Sequence, residues 1–197
     1  MRINKLFYPL LSASLLAAPG VASFAADTFK LDPAHTHFFF MVNHLGYSNM
    51  IGQFHKFDGQ FTVDQGDWTK GKVELSIKTD SVDTDHDKRN EHLRSPDFFN
   101  AAEFPEMKFV STKIEKTGEK TGKVTGDFTL LGVTKPVTLD FTLNQIAPHP
   151  LPQYNKILTA GFSVRGKIKR SDFGMKYAVP AVADDIDLII EMEGAKQ

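Results

Sequence analysis

The seven histidines are considered first, because imidazole can bind a metal or move a proton near neutral pH. His35 and His37 stand two residues apart at the start of the most hydrophobic predicted strand, residues 35–43. Side chains at i and i+2 share one face of a strand, so this pair could reach one metal ion. Further ligands would have to come from His44, His55 or a distant carboxylate, and no acid-rich motif lies beside the pair. We therefore predict no metal site.

A second cluster of polar residues is the run Asp-Thr-Asp-His-Asp at residues 83–87. A calcium-binding EF-hand loop that begins at Asp83 would need glycine at its sixth position and glutamate at its twelfth. Lys88 and Arg94 occupy those positions, so we interpret the run as the solvated start of a helix.

Motifs for covalent catalysis are absent from the sequence. It contains no cysteine and no Gly-x-Ser-x-Gly elbow, and its histidines stand in no triad pattern. Glycine-rich phosphate-binding loops are also missing. We predict a protein that is not an enzyme and uses no cofactor. The alternative is an enzyme that acts on a lipid or quinone, with His35 or His44 as the base.

Charge and composition exclude other classes of function. The 23 basic and 24 acidic side chains nearly cancel, which leaves no basic footprint for nucleic acid. Without cysteine, neither a disulfide nor a thiolate zinc site can form. The chain has 17 phenylalanines, more than a plain core needs. These features predict one domain that depends on an aromatic core for stability.

The first 25 residues have the pattern of a cleavable export signal. Arg2 and Lys5 precede an apolar run over residues 6–21, and Ser-Phe-Ala at residues 23–25 forms a small-x-small cleavage site. Prolines and a glycine interrupt the run, which argues against a membrane anchor. We predict a signal peptide over residues 1–25, one mature domain over residues 26–197, a periplasmic location and no permanent anchor.

Alternating apolar and polar residues predict β-strands along most of the mature chain. The alternation is clearest at residues 57–63, 72–78, 124–130, 137–143, 158–168 and 186–192. We expect about eight long strands and a short leading strand at residues 28–31, separated by turn-forming sequences. Eight amphipathic antiparallel strands suit a closed barrel or a sandwich, and the barrel is favoured because it leaves no exposed edges.

One charged segment breaks this period of two and predicts a helix over residues 85–93. Asp83 or Thr84 would cap its first turn, and Ser-Pro at residues 95–96 would end it. 

Three phenylalanines follow this helix on a predicted loop. Phe98, Phe99 and Phe104 lie on an irregular connection, so they must cover something apolar. Two interpretations stay open, a passive plug at one end of the barrel or a lid over a ligand.

The interior of such a barrel is either filled by side chains or open to a ligand. Residues 38–42 are apolar on both faces of their strand, so we expect a helix, a loop or a second subunit to cover the outer face. Small residues at inward positions indicate space inside, namely Gly59, Gly126, Ala160 and Gly166. A structural or stress protein with a solid core remains the second alternative.

Several motifs occur together in a recognisable order. They are Asp32 with His35; Phe40, Val42 and His44-Leu45-Gly46-Tyr47-Ser48; Gly52-x-Phe54 with Phe57-Asp58-Gly59; residues 81–84 with 89–98; residues 126–137; and residues 169–173. By these motifs, which extend through nearly all of the mature chain, the protein resembles the YceI family of secreted, lipocalin-like proteins. Phe39 and Met41 depart from the family, which more often has small or polar residues there.

The resemblance implies an all-β fold, a lipocalin-like extended eight-stranded antiparallel β-barrel with one short α-helix packed on it. It also implies a long apolar channel that holds a polyisoprenoid, an isoprenoid quinone or a similar amphiphilic lipid for transport or storage. Some family members form dimers, so a homodimer is left open.

The family's strand phase also identifies residues expected to face the ligand. Those expected to line the channel are Phe38, Phe40, Val42, Phe57, Phe61, Leu75, Ile77, Phe109, Phe128, Leu139, Phe141, Phe162, Val164, Leu188 and Ile190. Those expected at a lid or at the polar head of the lipid are His35, His44, Asp83, Arg89, Phe98, Phe99 and Asp172. Each polar residue of the second set could equally serve a structural hydrogen bond.

Overall fold

A computed structural model describes residues 26–64 and 67–197. The predicted signal peptide, residues 1–25, lies outside the described residues. The described part of the chain forms eleven strands and one α-helix. In chain order they are β1 (Asp27–Leu31), β2 (His37–His44), β3 (Ser48–Phe54), β4 (Phe57–Val63), β5 (Lys72–Lys78), β6 (Val82–Asp83), α1 (Asp87–Arg94), β7 (Glu106–Lys116), β8 (Thr121–Leu130), β9 (Val133–Pro148), β10 (Leu158–Lys169) and β11 (Val182–Lys196).

Antiparallel pairing closes the sheet into a barrel. The strands follow the order β1, β4, β5, β7, β8, β9, β10, β11, and β1 pairs again with β11. At this closure Phe29 lies opposite Lys196, and Leu31 lies opposite Gly194. Closure leaves these eight strands without a free edge, and this is the reason why the sequence favours a barrel. The predicted eight-stranded antiparallel barrel with one short helix is therefore confirmed.

The eleven strands occupy eight positions around the barrel, because at three of these positions the strand is interrupted. The breaks fall at residues 32–36 between β1 and β2, at residues 55–56 between β3 and β4, and at residues 79–81 between β5 and β6. Above the breaks, β2 pairs with β11 and β3, and β3 pairs with β6. In the upper half of the barrel, β2 thus continues β1, β3 continues β4, and β6 continues β5.

The connections define two ends of the barrel. The lower end carries the β4–β5, β7–β8 and β9–β10 connections, and the upper end carries the β2–β3 and β8–β9 turns and residues 170–181. At the upper end β6 pairs with β3 and β7 pairs with β5 and β8, so the segment that joins β6 to β7, including α1, lies at this end. No helix of the described residues is long and apolar enough to cross a bilayer.

Buried aromatic residues stabilise both halves of the barrel. In the lower half, Phe29 is fully buried and stacks on Phe61 with ring centroids 5.1 Å apart. In the upper half, Phe99 packs edge-on against Phe54 at 5.3 Å, and both rings contact Phe40. Aromatic pairs with this geometry stabilise a core beyond their buried area.

The helix starts two residues later than the sequence predicts. It spans Asp87–Arg94, and its N-cap is His86, whose Nδ1 accepts a hydrogen bond from the Arg89 amide at 3.2 Å. The predicted caps are wrong because other donors occupy their oxygens. Asp83 Oδ1 accepts the Asp85 amide at 3.0 Å, while Thr84 hydrogen-bonds to Asn90 and receives the Arg89 guanidinium.

Candidate ligand channel

The barrel encloses an apolar cavity, here called the barrel cavity. Its volume is about 1120 Å3, including adjoining space open to solvent. Side chains from β2 to β5 and from β7 to β11 line it, with Trp68 from a short 3-10 turn below. Among the residues that the structure describes, no titratable side chain lines this cavity. Such a wall can hold a hydrocarbon but offers no group for acid–base catalysis.

A second cavity, here called the helix-side cavity, lies at the upper end. It has a volume of about 1230 Å3 by the same measure, and α1, the segment after it and residues 175–182 form part of its wall. Its lining is mostly apolar, with a few polar side chains. These polar side chains are His44, Thr84, Arg89, His92, Arg170 and Tyr177.

The two cavities adjoin one another, and we call the pair the channel. Five side chains border both, namely Phe40, Phe54, Met107, Phe128 and Leu188. We call this set the neck. The unfilled apolar space between these side chains argues against the solid-cored barrel that the sequence left as an alternative.

Most of the predicted lining residues do face the channel. Thirteen of the fifteen border the barrel cavity, and two do not: Val42 borders the helix-side cavity instead, and Phe57 borders neither. Phe57 packs edge-on against Phe38 with centroids 4.9 Å apart, so it supports the wall from within the core. Sequence phase could not separate Phe57 from Phe61, because both lie on the same face of β4.

The inward glycines make room for neighbouring side chains, which corrects the prediction that they leave empty space. A Cβ at Gly126 would lie 2.5 Å from Cζ of Phe109, and one at Gly166 would overlap Leu139. Gly52 is likewise covered by the ring of Phe40, its partner across β2 and β3. Bulky side chains lie over these glycines and form part of the channel wall.

A hydrogen-bonded network holds Arg89 at the wall of the helix-side cavity. Its Nε donates to Thr84 Oγ1 at 2.8 Å, and one terminal nitrogen donates to the Thr84 carbonyl at 2.7 Å. Asn90 is buried and joins the same network through Thr84 and Asp83. The other terminal nitrogen of Arg89 donates to no described residue. It therefore remains able to bind an acceptor in the cavity.

Asp83 supports this network and borders neither the barrel cavity nor the helix-side cavity. His55 donates to Asp83 Oδ2 at 3.0 Å, and the Asp85 amide and the Asn90 side chain donate to Oδ1. These hydrogen bonds, with that from His55 the largest, lower the pKa of Asp83 to about 2. Asp83 is thus placed to stabilise the start of α1 and not at the channel mouth where the sequence expected it.

Asp172 and His35 also lie away from the helix-side cavity. Asp172 is exposed and pairs with Lys135 at 3.3 Å on the outside of the barrel. His35 lies near the lower end, beside a shallow polar cavity that Glu191 and Glu193 also line. Of the polar residues predicted at the head of the ligand, the structure brings only His44 and Arg89 to one cavity.

Near the lower end of the barrel, His35 forms a small group with the carboxylates of Asp32 and Glu193. Ligand atoms of Asp32, His35 and Glu193 lie within 4.8 Å of one another. His35 Nδ1 is hydrogen-bonded to Asp32 Oδ2 at 2.7 Å, and this contact raises the pKa of His35. Burial acts to raise the pKa of Asp32, but the hydrogen bonds from His35 and Ala34 outweigh it, so that pKa is lowered. His37 takes no part, since its ring stacks on Phe39.

Phe98 and Phe99 have different surroundings although they are neighbours in sequence. Phe99 is buried against Phe40 and Phe54 next to the neck. Phe98 is partly exposed and packs edge-on against His92 and Tyr177 at 5.0 and 5.3 Å. The position of Phe99 therefore favours the interpretation as a plug. The position of Phe98 favours the interpretation as a lid.

Arg170 is a structurally important residue that the sequence analysis missed. It is buried, and its guanidinium donates to the carbonyls of Met175, Tyr177, Val182 and Ala183 at 2.8 to 3.2 Å. It thereby holds residues 175–183 against the barrel. Burial lowers the pKa of this arginine, and the charge of Asp184 partly opposes the shift. Its place in the Lys-Arg-Ser-Asp-Phe run, which is part of the resemblance to the family, carried no signal of burial.

The protein thus has the architecture of a small antiparallel β-barrel whose apolar interior is large enough for a ligand. Residues 29–194 match the family model described as the YceI-like domain, so the chain belongs to the YceI family. It is 44% identical to Protein YceI of Escherichia coli O6:H1 over 197 residues, which covers 99% of this chain and 100% of that relative.

Solved structures that are similar to this one include the following two. The Campylobacter jejuni YCEI protein is 35% identical with a TM-score of 0.71, over 79% of this chain and 90% of that chain. A polyisoprenoid binding domain from Saccharophagus degradans has a TM-score of 0.63 at 14% identity, over 86% of this chain and 98% of that chain. The second likeness shows a shared fold.

Proposed function

We propose that the protein binds a polyisoprenoid, an isoprenoid quinone or a similar amphiphilic lipid in its channel and carries or stores it without chemical change. The observation that carries this proposal is the continuous apolar lining of the barrel cavity, in which no described side chain is titratable. The name of the Saccharophagus degradans domain, a relative by fold, supports the polyisoprenoid class.

Desolvation of the ligand's chain would supply most of the binding free energy. Each buried methylene contributes about 0.8 kcal/mol, so a long chain needs few polar contacts. The neck residues and the rings over the inward glycines present a smooth hydrocarbon wall. Such a wall suits an unbranched or methyl-branched chain better than a compact polar molecule.

The head of the lipid would lie in the helix-side cavity. Arg89 and His44 line it, and Arg89 has a terminal nitrogen that no described residue uses. No described carboxylate lines this cavity. A head that accepts hydrogen bonds, such as a quinone carbonyl, is therefore favoured over a cationic one.

The proposed location is the periplasm, with the protein free of a permanent anchor. The support is the export-signal pattern of residues 1–25 together with an apolar cargo that needs a carrier in an aqueous compartment. 

A homodimer is also proposed, through the outer face of β2 and β3. Phe39 and Met41 are only half-buried there, and Ile51, the partner of Met41, is 58% exposed. Light scattering on the Ile51→Asp variant would test this, since a charge at the centre of such an interface should convert the dimer to a monomer.

Native mass spectrometry of the protein purified from its export compartment tests the main proposal. Organic extraction and lipid analysis would then identify whatever dissociates. The expected result is an isoprenoid-type lipid at about one per barrel. A protein that is empty, and that also fails to take up added ubiquinone or polyprenol, would contradict the proposal.

A further inference from the structure

Two loops at the upper end present large apolar side chains to solvent. The β2–β3 turn exposes Leu45 by 48% and Tyr47 by 89%, and the loop before β11 exposes Tyr177 and Val179. The loops adjoin, because the Leu45 amide donates to the Ala181 carbonyl at 3.0 Å. We call these four side chains the apolar rim.

The apolar rim borders the opening of the helix-side cavity. His44, Tyr177 and Ala178 line that cavity and are also exposed, so they mark the place where it meets solvent. Leu45 and Val179 directly follow two of these residues in the chain. The apolar rim therefore lies beside the opening of the channel.

The side chain at position 45 is not one that the turn itself requires. Leu45 and Gly46 have φ values of 57° and 77°, and the Tyr47 amide closes the turn on the His44 carbonyl at 3.0 Å. Asparagine or glycine adopts this left-handed conformation with less strain than leucine does. A strained, solvent-exposed leucine beside a tyrosine is unfavourable for the isolated fold, which points to a role at a surface.

The chemistry of the rim fits the interface of a lipid bilayer. Tyrosine side chains place an apolar ring among acyl chains and a hydroxyl among headgroups. Residues 44–48 and 176–181 carry one lysine, Lys176, and no carboxylate, so these loops do not repel anionic headgroups. Buried Arg170 holds the second loop in place through the Tyr177 and Val182 carbonyls. The rim is thus presented on a fixed support.

We propose that the apolar rim docks on the surface of a phospholipid bilayer, so that the cargo passes between membrane and channel without crossing water. This inference rests on the proposed function for the identity of the cargo. Docking itself depends only on the rim. A lipid chain that left the bilayer elsewhere would expose its methylenes to water, and an apolar opening against the membrane avoids that cost.

The test compares two double variants that remove the same residue types. Leu45→Asn/Tyr47→Asn alters the rim, and its asparagine at position 45 suits the left-handed turn, so the fold should persist. Leu151→Asn/Tyr154→Asn is the matched control at the opposite, lower end, where those side chains are 49% and 37% exposed. Each protein is sedimented with cargo-free vesicles of phosphatidylethanolamine and phosphatidylglycerol.

The expected result is that the rim variant loses vesicle binding by about tenfold or more, while the control binds as the parent does. Equal binding by the parent and the rim variant would overturn the proposal. So would light scattering that shows a dimer of the parent converted to a monomer by the rim substitutions, because a second copy would then cover the rim.

A separate loading experiment distinguishes failure of the docking surface from failure of the proposed function. Ubiquinone is added from ethanol in the absence of vesicles, and bound lipid is measured by mass spectrometry. The rim variant should load as the parent does, because its channel is intact. If none of the proteins loads but vesicle binding still depends on the rim, docking stands and the proposed cargo is wrong.

Discussion

The phenyl ring of Phe40 lies against Gly52, the residue paired with it across β2 and β3, so closely that a Cβ at Gly52 would overlap the ring. Phe40 also borders both cavities. The missing side chain at position 52 therefore lets the Phe40 ring lie flat against the barrel wall, at the boundary of the two cavities.

Substituting Gly52 should narrow the channel. In Gly52→Ala the new methyl group displaces the Phe40 ring toward the neck, with an expected stability loss of about 1–3 kcal/mol. Uptake of ubiquinone should be slower or weaker, as measured by mass spectrometry over time. Gly161→Ala is the control, because its Cβ would meet only the Met192 carbonyl at an ordinary 3.8 Å. Unchanged stability and uptake in Gly52→Ala would contradict this account of the neck.

A charge on the channel wall should abolish lipid uptake. Phe40→Asp places a carboxylate among apolar side chains, where an unpaired charge is strongly unfavourable. We expect the variant either to unfold at lower temperature or to purify without lipid, as shown by circular dichroism and lipid extraction. Val133→Asp, which also puts a carboxylate in place of an apolar side chain but at an exposed position at the start of β9, is the control. A stable Phe40→Asp protein with its full lipid content would show that Phe40 does not face the ligand.

Phe98 and Phe99 should respond differently to truncation. Phe99→Ala removes a buried ring and should cost about 3–5 kcal/mol of unfolding free energy. Phe98→Ala removes a partly exposed ring, so it should cost about 1 kcal/mol. If Phe98 is part of a lid with His92 and Tyr177, ligand exchange in Phe98→Ala becomes faster. Exchange at the parent rate would leave Phe98 as a passive cover.

Arg170 should be essential for the order of the loop that carries Tyr177. Arg170→Met keeps much of the side-chain volume but leaves four carbonyl acceptors without their donor, at an expected cost of about 3–5 kcal/mol. Arg170→Lys should restore only part of the loss, since an ammonium lacks the planar fork. Chemical denaturation gives the free energies. A methionine variant as stable as the parent would rule out this anchoring role.

The contribution of Asp83 to stability should depend on pH. The hydrogen bonds in the folded state, from His55 first, lower its pKa from 3.8 to about 2, so the unfolded chain binds the proton more tightly. The stabilisation is therefore complete above pH 3.8 and is lost as the pH falls toward about 2. Melting temperatures of the parent and Asp83→Asn should differ at neutral pH and converge in this range. Asp58→Asn, at an exposed position, is the control; a constant difference for Asp83→Asn would contradict the assignment.

Local pattern determined which side chains face the interior. Side chains alternate with a strict period of two along a strand, so the apolar phase of β5 or β10 identifies Leu75 and Val164 as inward residues without knowledge of their neighbours. The same reasoning predicts the number of barrel strands and the presence of a helix, because both depend on short runs of sequence. Of the two residues that do not border the barrel cavity, Phe57 directly follows the break at residues 55–56, and Val42 lies near the upper end of β2.

Only the tertiary structure decided where the channel opens and which polar groups meet there. Asp83, Asp172, His35 and Arg89 all carried the same resemblance to the family, yet only Arg89 borders the helix-side cavity. Their positions depend on strand register and on the segment after β6, which are set by contacts between residues far apart in the chain. Burial of Arg170 likewise follows from four carbonyls contributed by another loop. A sequence specifies local periodicity directly, whereas the meeting of distant loops exists only after the barrel has closed.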